Sequence, residues 1–246
     1  LVSTVLERLC TRAPGLLVLV DPERTAASDA ARLAERAERD GAAGLLIGTS
    51  FDGAARTGEV AAAIKGATGL PLLLFPGSAN QLVPGVDAVL LLSLVSGRNP
   101  QYLIEEHVRA VPFLLRHGIP TISTAYILVD GGRVTAVEAV SQTRPLPADK
   151  PELAAVHAVA AGLIGMAVVY LDAGSGAANP VGPGVVGAVR RAVTLPVFVG
   201  GGIRTPAQVR AARAAGADFV VVGNAIEAGG PDAIRELVEA VRDGSR

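Results

Sequence analysis

Eight short apolar runs punctuate the chain: Leu16–Asp21, Gly44–Ser50, Pro71–Gly77, Ala88–Val95, Thr121–Asp130, Ala167–Gly174, Pro196–Gly202 and Phe219–Ala225. Their hydrophobicity is nearly continuous rather than alternating. That is the pattern of a parallel strand covered on both faces by helices. Between most of them lie Ala/Glu/Arg segments with helical periodicity. Ala26–Asp40 and Thr205–Gly216 have Thr or Pro near the start and end at Gly41 and Gly216, the usual helix punctuation. Strands that alternate with helices eight times predict right-handed crossovers and an α/β fold closed as a (β/α)8 TIM barrel. No linker or repeat interrupts residues 1–246, so the expected organisation is a single domain.

One connection is too short. Only ten residues, SANQLVPGVD, separate Gly77 from Ala88, and Pro84 and Gly85 interrupt them. A parallel crossover needs about a dozen residues, helix included. The barrel is therefore expected to be modified, its third helix missing or replaced by an extended loop. Such a gap in the outer ring of helices admits a long ligand.

In a barrel of this kind the chemistry sits at the C-terminal ends of the strands. Val197–Ile203 (VFVGGGI) and Phe219–Ala225 (FVVVGNA) end on glycines that let backbone N–H groups approach an anion, and the helix that follows adds its positive end. Together they read as a phosphate cradle. Ser175, between Gly174 and Gly176, suits a third such loop. Asp21 closes an apolar run, where a bare carboxylate is expensive to bury. With the hydroxyl of Ser50, or of Thr49 as second choice, it suits Mg²⁺ held against a diphosphate. The competing reading makes Asp21 the N-cap of the first helix. Tyr170 and Asp172 point to one face of the sixth strand. Asp172 there suits a general base or, alternatively, a buried acid paired with Arg or a backbone N–H. Tyr126 and Asp130 close the fifth strand. His107, His117 and His157 show no metal-ligand spacing and read as solvated or packing residues.

Bulk properties narrow the partners. The chain is 50% hydrophobic and 18% charged with a net charge of −1, which excludes non-specific nucleic-acid binding through clustered Lys and Arg. Aromatic residues make up 3%, with no Trp, so stacking platforms for single strands are not expected. The lone Cys10 excludes an internal disulfide and reads as a small apolar residue. No uncharged apolar run reaches the roughly 18 residues of a membrane span. Glu7, Arg8 and Arg12 in Leu1–Arg12 are unlike a signal peptide. A cytoplasmic protein is the expectation.

These motifs resemble the geranylgeranylglyceryl phosphate synthase family. The resemblance is carried by Asp21-Pro22-Glu23-Arg24, Gly48-Thr49-Ser50, Phe75-Pro76-Gly77-Ser78, Tyr126-Ile127, Tyr170–Gly176 and the two final glycine loops, in order from Leu16 to Glu227. The segment Ser141–Glu152 is similar to one in the family's larger-chain group. The resemblance implies attack of the 3-hydroxyl of sn-glycerol 1-phosphate on C1 of a polyprenyl diphosphate, with Mg²⁺ as cofactor and diphosphate as leaving group. It implies that Asp21 and Ser50 ligate the metal. It also implies that Tyr170, Leu171, Asp172, Ala173, Gly174, Ser175, Gly176, Gly201, Gly202, Gly223 and Asn224 hold the glycerol phosphate. Asp172 would be the base, with Tyr126 and Tyr170 beside it as catalytic candidates. Three departures stand out: Asp172 where the family usually has Glu, Thr49 in place of a usual glycine, and Arg24 in place of a usual Lys.

The prenyl tail would use an apolar groove near Leu82 and Val83. Relatives of this kind form dimers or hexamers, so a homo-oligomer is implied, and a lipid product suggests peripheral membrane contact. Alternatives are a prenyltransferase of the same fold acting on another phosphorylated acceptor such as 3-phosphoglycerate, a phosphate-binding barrel isomerase, or a non-catalytic prenyl diphosphate binder.

Overall fold

The computed structural model describes residues 4–49, 54–223, 226 and 232–243. Eight parallel strands close on themselves in sequence order: β1 (Gly15–Val20), β2 (Gly44–Ile47), β3 (Leu72–Leu74), β4 (Ala88–Leu94), β5 (Thr121–Leu128), β6 (Val168–Asp172), β7 (Val197–Gly200) and β8 (Phe219–Val222). Closure is made by β8 on β1, Gly15 opposite Phe219 through Val18 opposite Val222. All eight apolar runs contain a strand, and each strand stops before its run does because the last residues turn away to form the mouth.

The α-helices that accompany them among the described residues are α1 (Thr4–Cys10), α2 (Ala27–Asp40), α3 (Ala54–Ala67), α4 (Glu106–His117), α5 (Ala136–Ser141), α6 (Pro151–Leu163), α7 (Pro183–Ala192), α8 (Pro206–Ala214) and α9 (Ala233–Asp243). Helix α2 ends where Gly41 turns to φ 87° and its N–H returns to the carbonyls of Ala37 and Glu38. Helix α8 starts with a capping box, Thr205 and Gln208 bonding each other's backbone. Between β3 and β4 stands only the one-turn 3-10 helix Ala79–Gln81, so the third crossover helix is absent, as the short connection requires.

Both faces of the strands are buried, which accounts for their unbroken hydrophobicity. Outward side chains such as Val18, Ile47, Val169 and Val199 pack against the helices. Inward ones, among them Leu17, Leu46, Leu73, Leu90, Phe198 and Phe219, fill the barrel. Helix α1 closes the lower end with Val5, Leu6 and Leu9. Cys10 is half-buried beside them, and burial followed by the nearby Asp218 pushes its thiol up, consistent with a packing role.

The lower face also carries a repeated polar staple. Asp87, before β4, accepts from the N–H of Leu72 at 2.8 Å and from Lys65 Nζ at 2.9 Å. Four strands on, Asp218, before β8, accepts from the N–H of Val197 at 2.8 Å and from Arg190 Nη1 at 2.9 Å. Each Asp satisfies the first N–H of the preceding strand and ties that strand to the helix before it. The ion pairs themselves are partly exposed and contribute about 0–1 kcal/mol each. Stability sits at this face, which leaves the opposite one free for chemistry.

Candidate active site at the mouth of the barrel

A single continuous cavity occupies the C-terminal mouth. It begins among inward-facing residues (Leu19, Tyr126, Tyr170, Asp172) and crosses the lip near Phe75. It then continues on the outer face of β4 along Val89 and Leu91, between Leu82 and Ala110 of α4. The absent third helix is what opens that second half. The cavity is polar at the mouth and apolar along the groove.

Asp172, the last residue of β6, is buried. Its Oδ2 accepts a short hydrogen bond from the Tyr126 hydroxyl, and Oδ1 accepts from the N–H of Gly174 at 2.9 Å. Burial lifts its pKa above the usual carboxylate range, and the bonds from Tyr126 and from the Gly174 and Ala173 N–H groups oppose the rise. Burial, then the facing Asp172 charge, pushes Tyr126 and Tyr170 well above the ordinary phenol value, so both keep their protons. A carboxylate with a raised pKa, held by donors yet open to a cavity, is equipped to take a proton.

Aromatic rings wall this pocket. Phe75 stacks on Tyr170 with centroids 5.1 Å apart, Tyr126 lies 5.5 Å from Tyr170, and Phe198 and Phe219 continue the chain into the barrel. The chain has eight aromatic residues, and five of them form this column, so the few large rings are concentrated beside the chemistry.

The glycine loops converge opposite. Gly201 and Gly202 have φ of 76° and 71°, a region that disfavours a Cβ. A Cβ on Gly201 would meet Asp172 Oδ1 and stand 2.6 Å from the Gly174 nitrogen, and one on Gly202 would lie 2.9 Å from the Asn179 carbonyl. Ser175, Gly176, Gly201, Gly202 and Gly223 all line the cavity. Leu171 and Ala173 instead face the layer between barrel and helices, and the Gly174 N–H is committed to Asp172. These three residues shape the loop from behind the cavity wall. Asn224 lies outside the described residues.

At the other side of the mouth, Asp21 and Thr49 both line the cavity. Asp21 Oδ1 accepts from the Glu23 N–H at 3.0 Å and Oδ2 lies 3.7 Å from Arg24 Nε, while Thr49 Oγ1 donates to Glu23 Oε2 at 3.3 Å. Asp21 is not a helix cap, since α2 begins six residues later with Ala26 at its N-cap. Ser50 lies outside the described residues. Val83 is buried in the outer core, so of the two residues expected at the groove only Leu82 lines it. Asp130 is exposed and accepts from the Gly132 N–H at 2.8 Å.

Several cavity residues, Arg204, Tyr102 and Glu106 among them, escaped the sequence reading, whereas His107 reads there as a solvated or packing residue. Arg204, two residues after the third glycine of VGGGI, donates to the carbonyls of Ala177 (2.6 Å), Ala178 and Gly202 (both 3.3 Å), binding the sixth- and seventh-strand loops together. Its nearness to GGG was the available signal. Tyr102, Glu106 and His107 enter from the π-helical turn Gln101–Glu105 and the start of α4. His107 Nε2 bonds the Leu92 carbonyl at 2.8 Å, a packing role. Helix α5 leans over the mouth, where Asn99 Nδ2 donates to the Ser141 carbonyl at 2.9 Å. The segment after α5 joins the end of β5 through a bridge of Val129 and Leu146.

Fold and site together define a (β/α)8 barrel whose mouth joins converging glycine loops, a buried acid and an apolar side groove. Residues 9–241 match the PcrB family, and the chain belongs to that family. A geranylgeranylglyceryl phosphate synthase from Zunongwangia profunda is 44% identical over 87% of this chain and 91% of its own length. Its counterpart from Korarchaeum cryptofilum is 39% identical over 92% and 94%. The crystal structure of (S)-3-O-geranylgeranylglyceryl phosphate synthase from Thermoplasma acidophilum, in complex with its substrate sn-glycerol-1-phosphate, superposes with a TM-score of 0.91 at 32% identity, covering 99% of this chain and all of that one.

Proposed function

We propose that this protein is a prenyltransferase that joins the 3-hydroxyl of sn-glycerol 1-phosphate to a polyprenyl diphosphate, geranylgeranyl diphosphate by the names of its relatives. The observation that carries the reading is the buried Asp172, held by Tyr126 and facing the glycine loops at the mouth of an apolar groove. A phosphate in the cradle of Ser175, Gly176, Gly201, Gly202 and Gly223, with Asn224 after it, leaves the glycerol hydroxyls on the side of Asp172. Asp172 accepts the hydroxyl proton, the oxygen bonds C1 of the prenyl chain, and the C1–oxygen bond to diphosphate breaks. Tyr126 holds one carboxylate oxygen while the free lone pairs of the other side face the acceptor. Tyr170 and Phe75, stacked on each other, line the cavity, and their π-systems favour the positive charge that grows on the allylic carbon. The apolar groove binds the tail and keeps water from that carbon.

Asp21 and Thr49, one carboxylate and one hydroxyl at the cavity edge, fit Mg²⁺, which takes one or two carboxylates and fills its shell with phosphate oxygens and water. Ser50 would join them. Bound there, Mg²⁺ supplies charge neutralisation for the departing diphosphate. Among the described residues no cluster of three His, Cys, Asp or Glu offers an alternative cage.

The protein works as a homo-oligomer in this reading. Helix α6 is apolar on its outer as well as its inner side, apart from Glu152 and His157: Ala154, Ala158 and Ala161 face the core, while Val156 and Leu163 are 65% and 84% exposed. A helix of that kind is normally covered. It has no Lys or Arg, which favours a second copy over an anionic membrane surface as the cover. Among the described residues no helix is long and apolar enough to cross a membrane. Incubation with labelled sn-glycerol 1-phosphate, geranylgeranyl diphosphate and Mg²⁺ tests the activity. An ether product identified by mass spectrometry supports it, and its absence under saturating conditions overturns it.

A further inference from the structure

The groove on the outer face of β4 has a fastening. Where a third helix would have stood, the turn Ala79–Gln81 and Leu82 after it border the groove on one side, and α4 borders the other. A 3-10 turn leaves free N–H donors at its start, and Ser78 at the N-cap makes no side-chain bond to them. The Ala79 N–H is satisfied from across the groove: it donates to Glu106 Oε2 at 2.7 Å. The other oxygen of Glu106 accepts from Gln101 Nε2 at 3.1 Å and from Arg109 Nη1 at 3.0 Å, which fixes the carboxylate on α4. Its side chain is only 12% exposed and lines the cavity. The π-helical turn Gln101–Glu105 immediately precedes it, and such turns recur where a helix presents side chains to a site.

We propose that Glu106 is a specificity-determining, positioning residue: it latches the Ala79–Gln81 turn to α4 and so sets the width of the groove through which a long prenyl tail leaves the barrel. The proposal rests on the prenyltransferase reading. The half-buried carboxylate has no part in proton transfer at Asp172, and its partners lie on the two walls of the groove. Holding the turn in place keeps Leu82 facing Ala110 across the apolar channel. Releasing it widens the channel and loosens packing around the distal part of the tail, while the glycerol phosphate cradle on the far side of the mouth is untouched.

The test measures binding of geranyl and geranylgeranyl diphosphate by equilibrium dialysis to the wild type, Glu106→Ala and Glu106→Gln, with turnover recorded in parallel. The expected result is that Glu106→Ala weakens geranylgeranyl diphosphate about tenfold and geranyl diphosphate less than twofold, with KM for sn-glycerol 1-phosphate unchanged. Glu106→Gln, which keeps an acceptor for Ala79, should recover most of the long-chain affinity. Equal losses for both chain lengths, no loss for either, or no rescue by Gln would overturn the latch. A wild type that binds both diphosphates without turning over would sink the prenyltransferase reading alone, while the affinity ratio still decides the latch.

Discussion

The hydroxyl of Tyr126 donates to Oδ2 of Asp172 across the β5–β6 pair, in which Tyr126 stands opposite Tyr170 and Asp172 opposite Leu128. The bond is therefore diagonal, and it stabilises the charged carboxylate in a site whose burial opposes that charge. Tyr126→Phe keeps the ring and removes the donor. Without it the pKa of Asp172 rises further, so the acid limb of the kcat/KM profile moves to higher pH. At neutral pH kcat/KM should fall roughly 10–100-fold, the worth of a hydrogen bond to a charged group. An unshifted limb would show that the bond does not tune the base.

Asp172→Asn removes the base and leaves the shape, and kcat should drop by about 10²–10⁴. The same variant carries a stability signature. Because the folded-state pKa lies above the unfolded value, the folded protein binds more protons between the two. Its stability therefore falls as pH rises from the ordinary carboxylate pKa through the raised one. Asn does not titrate, so thermal melts across that window should show the wild type losing stability relative to the variant. Parallel curves would contradict the burial argument.

Two glycines separate a structural need from an accident. Gly201→Ala forces a Cβ against Asp172 and into a left-handed conformation, which alone costs about 1–2 kcal/mol. It should lower the melting temperature and raise KM for the glycerol phosphate. Gly184→Ala, inside α7 with open space around the new methyl, should stabilise by about 0.5–1 kcal/mol with activity unchanged. Calorimetry and steady-state kinetics on the pair check both.

Chelation should abolish turnover and added Mg²⁺ restore it. Asp21→Asn should then raise the Mg²⁺ concentration for half-maximal rate by at least the roughly 10–100-fold typical of weakened metal shells. Full activity after exhaustive chelation would remove the metal from the account.

Leu163→Glu places a charge on the exposed apolar face of α6. Light scattering should find the wild type larger than a monomer and the variant reduced in size. A wild type that is monomeric at micromolar concentration would leave that face without its second copy.

Much of this was legible in the residues. Parallel strands must be apolar on both faces, so all eight announced themselves, and the ten-residue gap after Gly77 left no room for a helix. Asp172 was legible because an acid closing an apolar strand needs a reason to be there. The family resemblance alone puts Tyr126 beside it; the bond itself spans 46 positions, and only the pairing of β5 with β6 brings the two together. Glu106 reads in sequence as one more charge on a helix face. Its role depends on the π-helical turn before it and on an orphan N–H in a distant loop, neither of which has a local signature. Val83 and Leu82 are indistinguishable as apolar neighbours until the backbone assigns one to the core and the other to the groove.

The most direct measurement is product formation from geranylgeranyl diphosphate with sn-glycerol 1-phosphate, sn-glycerol 3-phosphate and 3-phosphoglycerate in separate reactions, each run with the wild type and with Asp172→Asn. The account predicts ether product from sn-glycerol 1-phosphate, at least tenfold less from the other two, and near-complete loss in the variant. Equal turnover of all three acceptors, or a variant as active as the wild type, would contradict it.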